Sequence, residues 1–186
     1  MDKFSFINTC INGVYEIQRK PIVDNRGYFE RLFCINDFSE ILSTKKVMQI
    51  NHSFTENNGV VRGLHYQIPP FSETKIVTCL SGSVFDIIID LRKGSPTFLK
   101  QYSLILSSEK KNMILIPEGF AHGFQTLSIN SELIYFHTQI FNPQSERGIH
   151  ALDPLLSIEW PLLITSQSAK DSNYTMLDLN FQGINI

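Results

Sequence analysis

Arg62 and His65 are a cation and an imidazole three residues apart in the stretch VVRGLHYQ at 60–67. Side chains three residues apart face opposite sides of a regular strand. Gly63 lies between them, and a glycine within a strand often marks a bulge that turns the following side chains. We therefore expect both side chains to enter one cavity, where they could bind an anion and move a proton. The alternative is an exposed arginine and a core histidine.

A second histidine, His122, follows a predicted tight turn in IPEGFAHGF at 116–124. This P-x-G-x-x-H pattern resembles the second sequence signature of cupins. The first cupin signature supplies H-x-H and a glutamate, whereas this chain has His65, Tyr66 and Gln67 at those positions. A divalent metal needs three or four converging ligands. We therefore expect a cupin barrel that works with side chains and no metal, with a metal at His65 and His122 as a minor alternative.

The elements that must position these residues are predicted to be short strands. Alternating or β-rich segments occupy 47–54, 60–67, 75–80, 83–91, 101–106, 113–117 and 132–140, with turn signals between them. One short helix is predicted at 37–43, where Asp37 and Glu40 have the spacing of a capping box. The pattern favours an all-β antiparallel sandwich or barrel, with a jelly roll as first choice. Residues 150–186 are predicted to form an irregular tail over the sheets.

Composition limits the class of protein. The 186 residues predict a single domain over 1–186. A formal charge of −2 argues against nucleic acid and anionic membranes as partners, so a bound anion must meet a few local basic residues. Three scattered cysteines predict reduced thiols in a cytoplasmic protein. Since no apolar run approaches the length of a membrane span and no signal peptide is evident, we expect neither membrane insertion nor secretion.

Several longer motifs occur in a recognisable order. They are GVVRGLHYQ at 59–67, ETKIV at 73–77, GSVFDIIIDLRKGSPTF at 82–98, IPEGFAHGF, LIY at 133–135, ERGIHALDP at 146–154 and IEWP at 158–161. Together they resemble the dTDP-4-dehydrorhamnose 3,5-epimerase family, from Asp24 to Asp171. The resemblance implies a homodimeric jelly-roll cupin that needs no metal or organic cofactor. It also implies an isomerase of class EC 5.1.3 that inverts C3, C5 or both on a nucleotide-diphosphate 4-keto-6-deoxyhexose.

The resemblance also assigns catalytic roles. Inversion next to a ketone requires a base, an electrophile for the developing enolate, and an acid on the opposite face. His65 matches the base, and Asp171 matches a carboxylate that orients it and stabilises the imidazolium. Tyr135 matches the acid, and Lys75 lies near the C4 oxygen.

Nine further residues match substrate-binding positions of the family. Arg26 and Arg62 hold the phosphates, and the Arg26 segment crosses into the partner subunit, so we expect residues of about 1–35 to be exchanged between subunits. The remaining matches are Phe29 and Glu30 for the base, Gln49 and Asn51 for the nucleotide and sugar, Asp86 in the cavity lining, His122 as a hydrogen-bond donor, and Phe141 for stacking.

The chain departs from the family pattern Y-x-x-T-D-Y-Y-x-P. Gln139, Ile140 and Phe141 stand where that pattern has Asp, Tyr and Tyr, and Ile50 replaces an aspartate. His137 follows two residues after Tyr135 on the same strand face, where it could contact the sugar or modulate the acid. These departures leave two alternatives open: a monoepimerase on a dTDP-, CDP- or GDP-4-keto sugar, and a sugar-binding cupin without catalytic activity.

Overall fold

The computed structural model describes residues 2–186, which form three antiparallel sheets and two short helices. The strands are β1 (Phe4–Asn8), β2 (Tyr15–Arg19), β3 (Ile22–Asp24), β4 (Gly27–Phe29), β5 (Gln49–Thr55), β6 (Val61–Gln67), β7 (Lys75–Ser81), β8 (Ser83–Asp90), β9 (Gln101–Ser107), β10 (Asn112–Ile116), β11 (Phe120–Thr126), β12 (Ser131–His137) and β13 (Glu146–Gly148). The helices are α1 (Ser39–Leu42) and α2 (Ala169–Ser172). This content confirms the predicted all-β class.

Two of the sheets form the body of the fold. A six-stranded sheet has the order β1-β2-β10-β7-β12-β5, and a five-stranded sheet has the order β13-β6-β11-β8-β9. Their inner faces contribute to one buried apolar cluster, which includes Val77 and Leu133 from the first sheet and Ile88, Leu106 and Phe124 from the second. Because side chains alternate along a strand, Lys75 on β7 lies on the same inner face as Val77, and Tyr135 on β12 lies on the same inner face as Leu133.

Helix α1 packs on the outer face of the six-stranded sheet, and its N-terminus differs from the prediction. The N-cap is Phe38, which makes no capping hydrogen bond through its side chain, and Asp37 instead pairs with Arg31 at 3.1 Å. The predicted capping box is therefore wrong. Phe38 is fully buried, with its ring centroid 4.9 Å from that of Phe4 and 5.0 Å from that of Phe33. Aromatic packing sets the start of this helix, because burying a ring contributes more than one cap.

The predicted bulge at Gly63 is confirmed. Between β6 and β11, His65 pairs with His122 and Arg62 pairs with Phe124, so three residue steps on β6 match two on β11. Gly63 has φ +114°, and a Cβ there would lie 2.7 Å from the Gly123 Cα. Only glycine meets both requirements without strain. The bulge places Arg62 and His65 on the lining of the same cavity, as expected.

The two ends of the chain pack differently. In residues 150–186, Leu156 and Trp160 pack in the apolar cluster on the five-stranded sheet, together with Leu64 and Ile87. Short helix α2 begins after Ser168, whose hydroxyl accepts the backbone N–H of Asp171 at 3.0 Å. Near the other end, β1 and β2 pair within the chain's own sheet, whereas β3 and β4 form a separate exposed hairpin. No helix among residues 2–186 combines the length and apolar character that a bilayer span requires.

Candidate active site

A cavity of about 570 Å³ opens between the two large sheets. One wall comes from β5, β7 and β12 of the six-stranded sheet, and the other from β6 and β11 of the five-stranded sheet. Of the residues predicted for the site, the cavity lining contains Asn51, Arg62, His65, Lys75, His122, Tyr135 and Phe141. The topology therefore brings together residues that are up to 90 positions apart in the sequence.

His65 is oriented by a buried carboxylate. Its Nε2 lies 2.7 Å from Oδ1 of Asp171, and the other carboxylate oxygen accepts the backbone N–H of Gly63 at 3.2 Å. Burial alone would raise the pKa of Asp171, but the hydrogen bonds from His65 and Gly63 lower it below its usual value. An ionised carboxylate only accepts hydrogen bonds, so Nε2 of His65 carries the proton. The Nδ1 lone pair is then free to act as a base.

Tyr135 lies on the opposite wall of the cavity, on β12. Its hydroxyl is 3.0 Å from the Ser53 hydroxyl on the neighbouring strand β5. Burial raises the pKa of Tyr135 above its usual value, so the phenol keeps its proton at neutral pH. A base on one sheet therefore faces a protonated phenol on the other.

Lys75 is a buried cation on the same wall as Tyr135. Its ammonium is 2.9 Å from one oxygen of Glu73, and the other oxygen is 2.7 Å from Nδ1 of His137. Burial would raise the pKa of Glu73, but the Lys75 ammonium and the His137 imidazole lower it to about 2. Glu73 is therefore ionised and balances the charge of the buried ammonium.

His122 is held by Asp86 behind the cavity surface. Nε2 of His122 is 2.8 Å from Oδ2 of Asp86, and Asp86 is fully buried. Among the described residues, the other oxygen of Asp86 is one of the few buried side-chain atoms without a hydrogen-bond partner. Asp86 therefore fixes the orientation of the His122 imidazole and does not itself line the cavity.

Three of the predicted residues lie away from the cavity of their own chain. Arg26 is 85% exposed at its side chain and pairs with Asp24 at 2.6 Å, and Phe29 is 70% exposed. Glu30 pairs at 2.5 Å with Arg19, which is fully buried. The β3–β4 hairpin is therefore exposed, with the Tyr28 ring centroid 3.6 Å from the Lys111 ammonium, and the segment that follows it is tied to the body of the chain by the Glu30–Arg19 ion pair.

The sequence did not identify three residues that contact the predicted catalytic groups, and one of them is Glu73, the partner of Lys75. Ser53 meets the Tyr135 hydroxyl, and the Tyr174 ring lies edge-on to the His65 ring with centroids 5.8 Å apart. The alternation of β5 places Ser53 on the face of Asn51, which was the available signal. Tyr174 lies in the irregular tail, where no periodicity points to a site.

Residues 2–186 contain no cluster of three or more His, Cys, Asp or Glu side chains arranged to hold a metal ion. His65 and His122 are each paired with a different carboxylate, Asp171 and Asp86. Operation without a metal or organic cofactor stays a prediction from the family resemblance.

Comparisons with known proteins all point to the same family. The family model described as dTDP-4-dehydrorhamnose 3,5-epimerase matches residues 8–178. A dTDP-4-dehydrorhamnose 3,5-epimerase from Shigella flexneri is 42% identical over 90% of this chain and 92% of its own. A dTDP-4-dehydrorhamnose 3-epimerase from Streptomyces niveus is 35% identical over 90% of this chain and 81% of its own.

A solved structure agrees with these sequence matches. The crystal structure of dTDP-6-deoxy-D-glucose-3,5-epimerase from Legionella pneumophila in complex with dTDP-4-keto-L-rhamnose superposes with a TM-score of 0.89 and 41% identity. The match covers 95% of this chain and 94% of that one. The predicted jelly-roll cupin fold and epimerase class are thereby confirmed, and the chain belongs to the dTDP-4-dehydrorhamnose 3,5-epimerase family.

Proposed function

We propose that this chain inverts C3 and C5 of dTDP-4-keto-6-deoxyglucose. The observation that carries the proposal is the placement of His65 with its carboxylate on one sheet and protonated Tyr135 on the facing sheet of the same cavity. Epimerisation needs removal of a proton from one face and its return to the other, and two facing walls supply those two groups.

Each inversion runs in two proton transfers. Nδ1 of His65 takes the proton from the carbon next to the ketone, and the C–H electron pair moves to the C4 oxygen to form an enolate. The buried Lys75 ammonium stabilises this developing negative charge, because a preorganised cation acts strongly in a site that excludes water. The Tyr135 hydroxyl then protonates the same carbon from the opposite face and the carbonyl re-forms. The His65 imidazolium releases its proton to solvent, and the Tyr135 phenolate takes one up.

The diphosphate requires cations outside the reacting centre. Arg62 is an exposed residue at the cavity lining, where its Nε donates to the Thr55 hydroxyl at 3.1 Å and its Nη2 to the Phe54 carbonyl at 3.1 Å, which leaves Nη1 for a ligand. Arginine suits phosphate because its planar donors can bind two oxygens at once. Phe141, half exposed at the same opening, offers a flat surface for the nucleobase.

A homodimer would bring in the residues that lie far from this cavity. The β3–β4 hairpin exposes the apolar Ile22, Val23 and Phe29 beside Arg26, a composition more typical of a buried contact than of a free surface. We propose that the hairpin enters the partner's cavity, with Arg26 at the diphosphate and Phe29 at the base, while Glu30 stays paired with Arg19 of its own chain. The exchanged part of the expected segment 1–35 would then be this hairpin, since β1 and β2 pair within their own chain.

Subunit mixing tests the exchange. Arg26→Ala and His65→Ala are each expected to inactivate their own homodimers. A mixed dimer contains one site with both His65 and the partner's Arg26 intact, so mixing the two inactive variants should restore activity. If Arg26 acts within its own chain, no mixed dimer contains an intact site and mixing restores nothing.

Solvent exchange tests the reaction itself. The protein is incubated with dTDP-4-keto-6-deoxyglucose in deuterium oxide, and deuterium at C3 and C5 is followed by NMR. Deuterium at both carbons, lost in His65→Ala, is the expected result. Deuterium at one carbon only would contradict the double inversion and establish a monoepimerase. A monoepimerase is the second candidate because of the Gln139 and Ile140 replacements and the similarity to the Streptomyces niveus 3-epimerase. Tight binding without exchange would instead identify a non-catalytic sugar-binding cupin.

The location of the protein stays a prediction. Cys10 is exposed, Cys34 is half-buried and Cys79 is buried, and none of the three is in a disulfide. Free thiols agree with the cytoplasmic location expected from the sequence, which also suits a nucleotide-sugar substrate.

A further inference from the structure

A chain of hydrogen bonds runs along the cavity wall to His137, and one backbone amide sets its direction. The N–H of Phe141 donates to Oε1 of Gln49 at 3.0 Å, so the Gln49 amide nitrogen points the other way. That nitrogen donates to Oδ1 of Asn51 at 3.1 Å, which leaves Nδ2 of Asn51 facing Nε2 of His137 at 3.4 Å. Because Nδ2 only donates, Nε2 of His137 must be an acceptor.

The opposite end of the His137 ring agrees with this assignment. Nδ1 of His137 lies 2.7 Å from an oxygen of Glu73, and an ionised carboxylate only accepts. Nδ1 therefore carries the proton, and two independent contacts specify the same neutral tautomer. Both side chains are nearly buried, with 11% of His137 and 9% of Glu73 exposed. His137 thus presents an acceptor and Asn51 a donor at the same place on the lining.

The position of this pair relative to Lys75 indicates which part of a sugar it would meet. His137 and Lys75 are direct partners between β12 and β7, so their side chains leave adjacent points on one sheet face. In the proposed function Lys75 binds the C4 oxygen. The carbon on one side of the ketone, C3, carries a hydroxyl, whereas C5 carries an apolar methyl. A donor–acceptor pair beside Lys75 therefore fits the C3 side.

We propose that the C3 hydroxyl of the substrate inserts between His137 and Asn51 in place of their 3.4 Å contact, donating to Nε2 of His137 and accepting from Nδ2 of Asn51. Glu73 is then a positioning residue that holds His137 in the accepting tautomer. The proposal rests on the proposed function, since it takes a 4-keto-6-deoxyhexose as the ligand. It assigns a substrate-recognition role to His137, one of the positions where the chain departs from the usual family pattern.

Two unreactive ligands test the proposal without using catalysis. Binding of dTDP-6-deoxyglucose and its 3-deoxy analogue is measured by calorimetry. A net hydrogen bond corresponds to about a two- to tenfold difference in Kd, and we expect the wild-type protein to prefer the 3-hydroxy ligand by this factor. In His137→Asn, the shorter amide can still donate toward Glu73 but does not reach the Nε2 position, so the preference should fall to the part that the Asn51 donor contributes. In Glu73→Gln, the Lys75 ammonium takes the single amide oxygen, which turns the NH₂ group toward Nδ1 of His137 and disfavours the accepting tautomer, so the preference should fall there as well.

The ratio of the two dissociation constants separates recognition from general damage, since a disturbed cavity weakens both ligands alike. His150→Asn is the matched control, because His150 lies outside the cavity lining and its Nδ1 accepts only a local backbone N–H; it should keep the preference. Equal binding of both ligands by the wild type, or a preference that is unchanged in His137→Asn, overturns the role of His137 and leaves the proposed function standing. A preference that is unchanged in Glu73→Gln overturns the positioning role of Glu73. If neither ligand binds the wild type, the proposed function fails as well.

Discussion

Replacing Asp171 with asparagine tests the His65–Asp171 pair without changing its shape. In Asp171→Asn, the new amide could still accept the Gly63 N–H with its oxygen, which turns its NH₂ group toward Nε2 of His65. Nε2 must then accept, and the single proton of the neutral ring moves to Nδ1. The nitrogen that faces the substrate would be protonated, so it could no longer act as a base.

The geometry gives the size of the effect. The bond between His65 and Asp171 is 2.7 Å long and one partner is buried, with 3% of Asp171 exposed. A hydrogen bond to a charged group contributes about 1.5–3 kcal/mol, which corresponds to a factor of about 10–150 in rate if it is lost in the transition state. Inverting the tautomer adds to this loss. We therefore expect kcat to fall at least about 100-fold.

The assay is the rate of deuterium incorporation from solvent into dTDP-4-keto-6-deoxyglucose, with the Kd for dTDP measured in parallel. The Kd should stay near the wild-type value, because Asp171 lies behind the base and away from the cavity lining. Asp178→Asn is the matched control, since Asp178 lies in the same tail and its side chain contacts only a local backbone N–H. A kcat for Asp171→Asn within about threefold of wild type would refute the assigned role of the pair.

Two further variants test the facing wall. Tyr135→Phe removes the acid but leaves His65, so the rate of inversion should fall by about 10²–10⁴-fold. Exchange of the substrate proton for deuterium should continue, with the configuration at the carbon retained. NMR of the sugar follows both rates, and an equal loss of inversion and exchange would contradict separate acid and base groups. Glu73 has a folded-state pKa lowered from 4.5 to about 2, so it stabilises the fold above its unfolded pKa and that contribution is lost as the pH falls toward about 2. Urea unfolding should therefore show the stability gap between wild type and Glu73→Gln narrowing by about 2 kcal/mol from about pH 7 to about pH 3. A gap independent of pH would refute the ion pairing of Glu73.

The sequence predicted the residues that alternation and motif order specify. Seven of the thirteen strands, β5 to β10 and β12, fall on the predicted stretches, where β-rich or alternating residues stand out. The strands β1 to β4, β11 and β13 were not located from the sequence. The bulge at Gly63 was predicted because a glycine interrupts a strand between two polar side chains. His65 and His122 were found as candidates by residue type and spacing, whereas Asp171 and Tyr135 needed the family resemblance.

Contacts that depend on packing could not be predicted in this way. Helix α1 starts at a buried Phe38 because neighbouring aromatic rings enclose it. The local capping pattern in the sequence carries no information about those rings. Glu73 lies in a loop with no periodicity, and its partner His137 is 64 residues away. Tyr174 reaches His65 from the tail only because Gly148 leaves room for its ring, since a Cβ at Gly148 would overlap the ring carbons of Tyr174.

Charge in the cavity gives an independent reason to expect a second subunit. Among the described residues, Lys75 and Arg62 are the cations at its lining, and Glu73 and Glu146 are the carboxylates there. Lys75 is already paired with Glu73, so Arg62 is the lining cation that is left to meet a diphosphate. The diphosphate of a nucleotide sugar carries two negative charges, and one arginine balances only one of them. The binding of a nucleotide sugar therefore calls for cations from outside the cavity, and the exposed hairpin arginine is the one that the proposed subunit exchange would deliver.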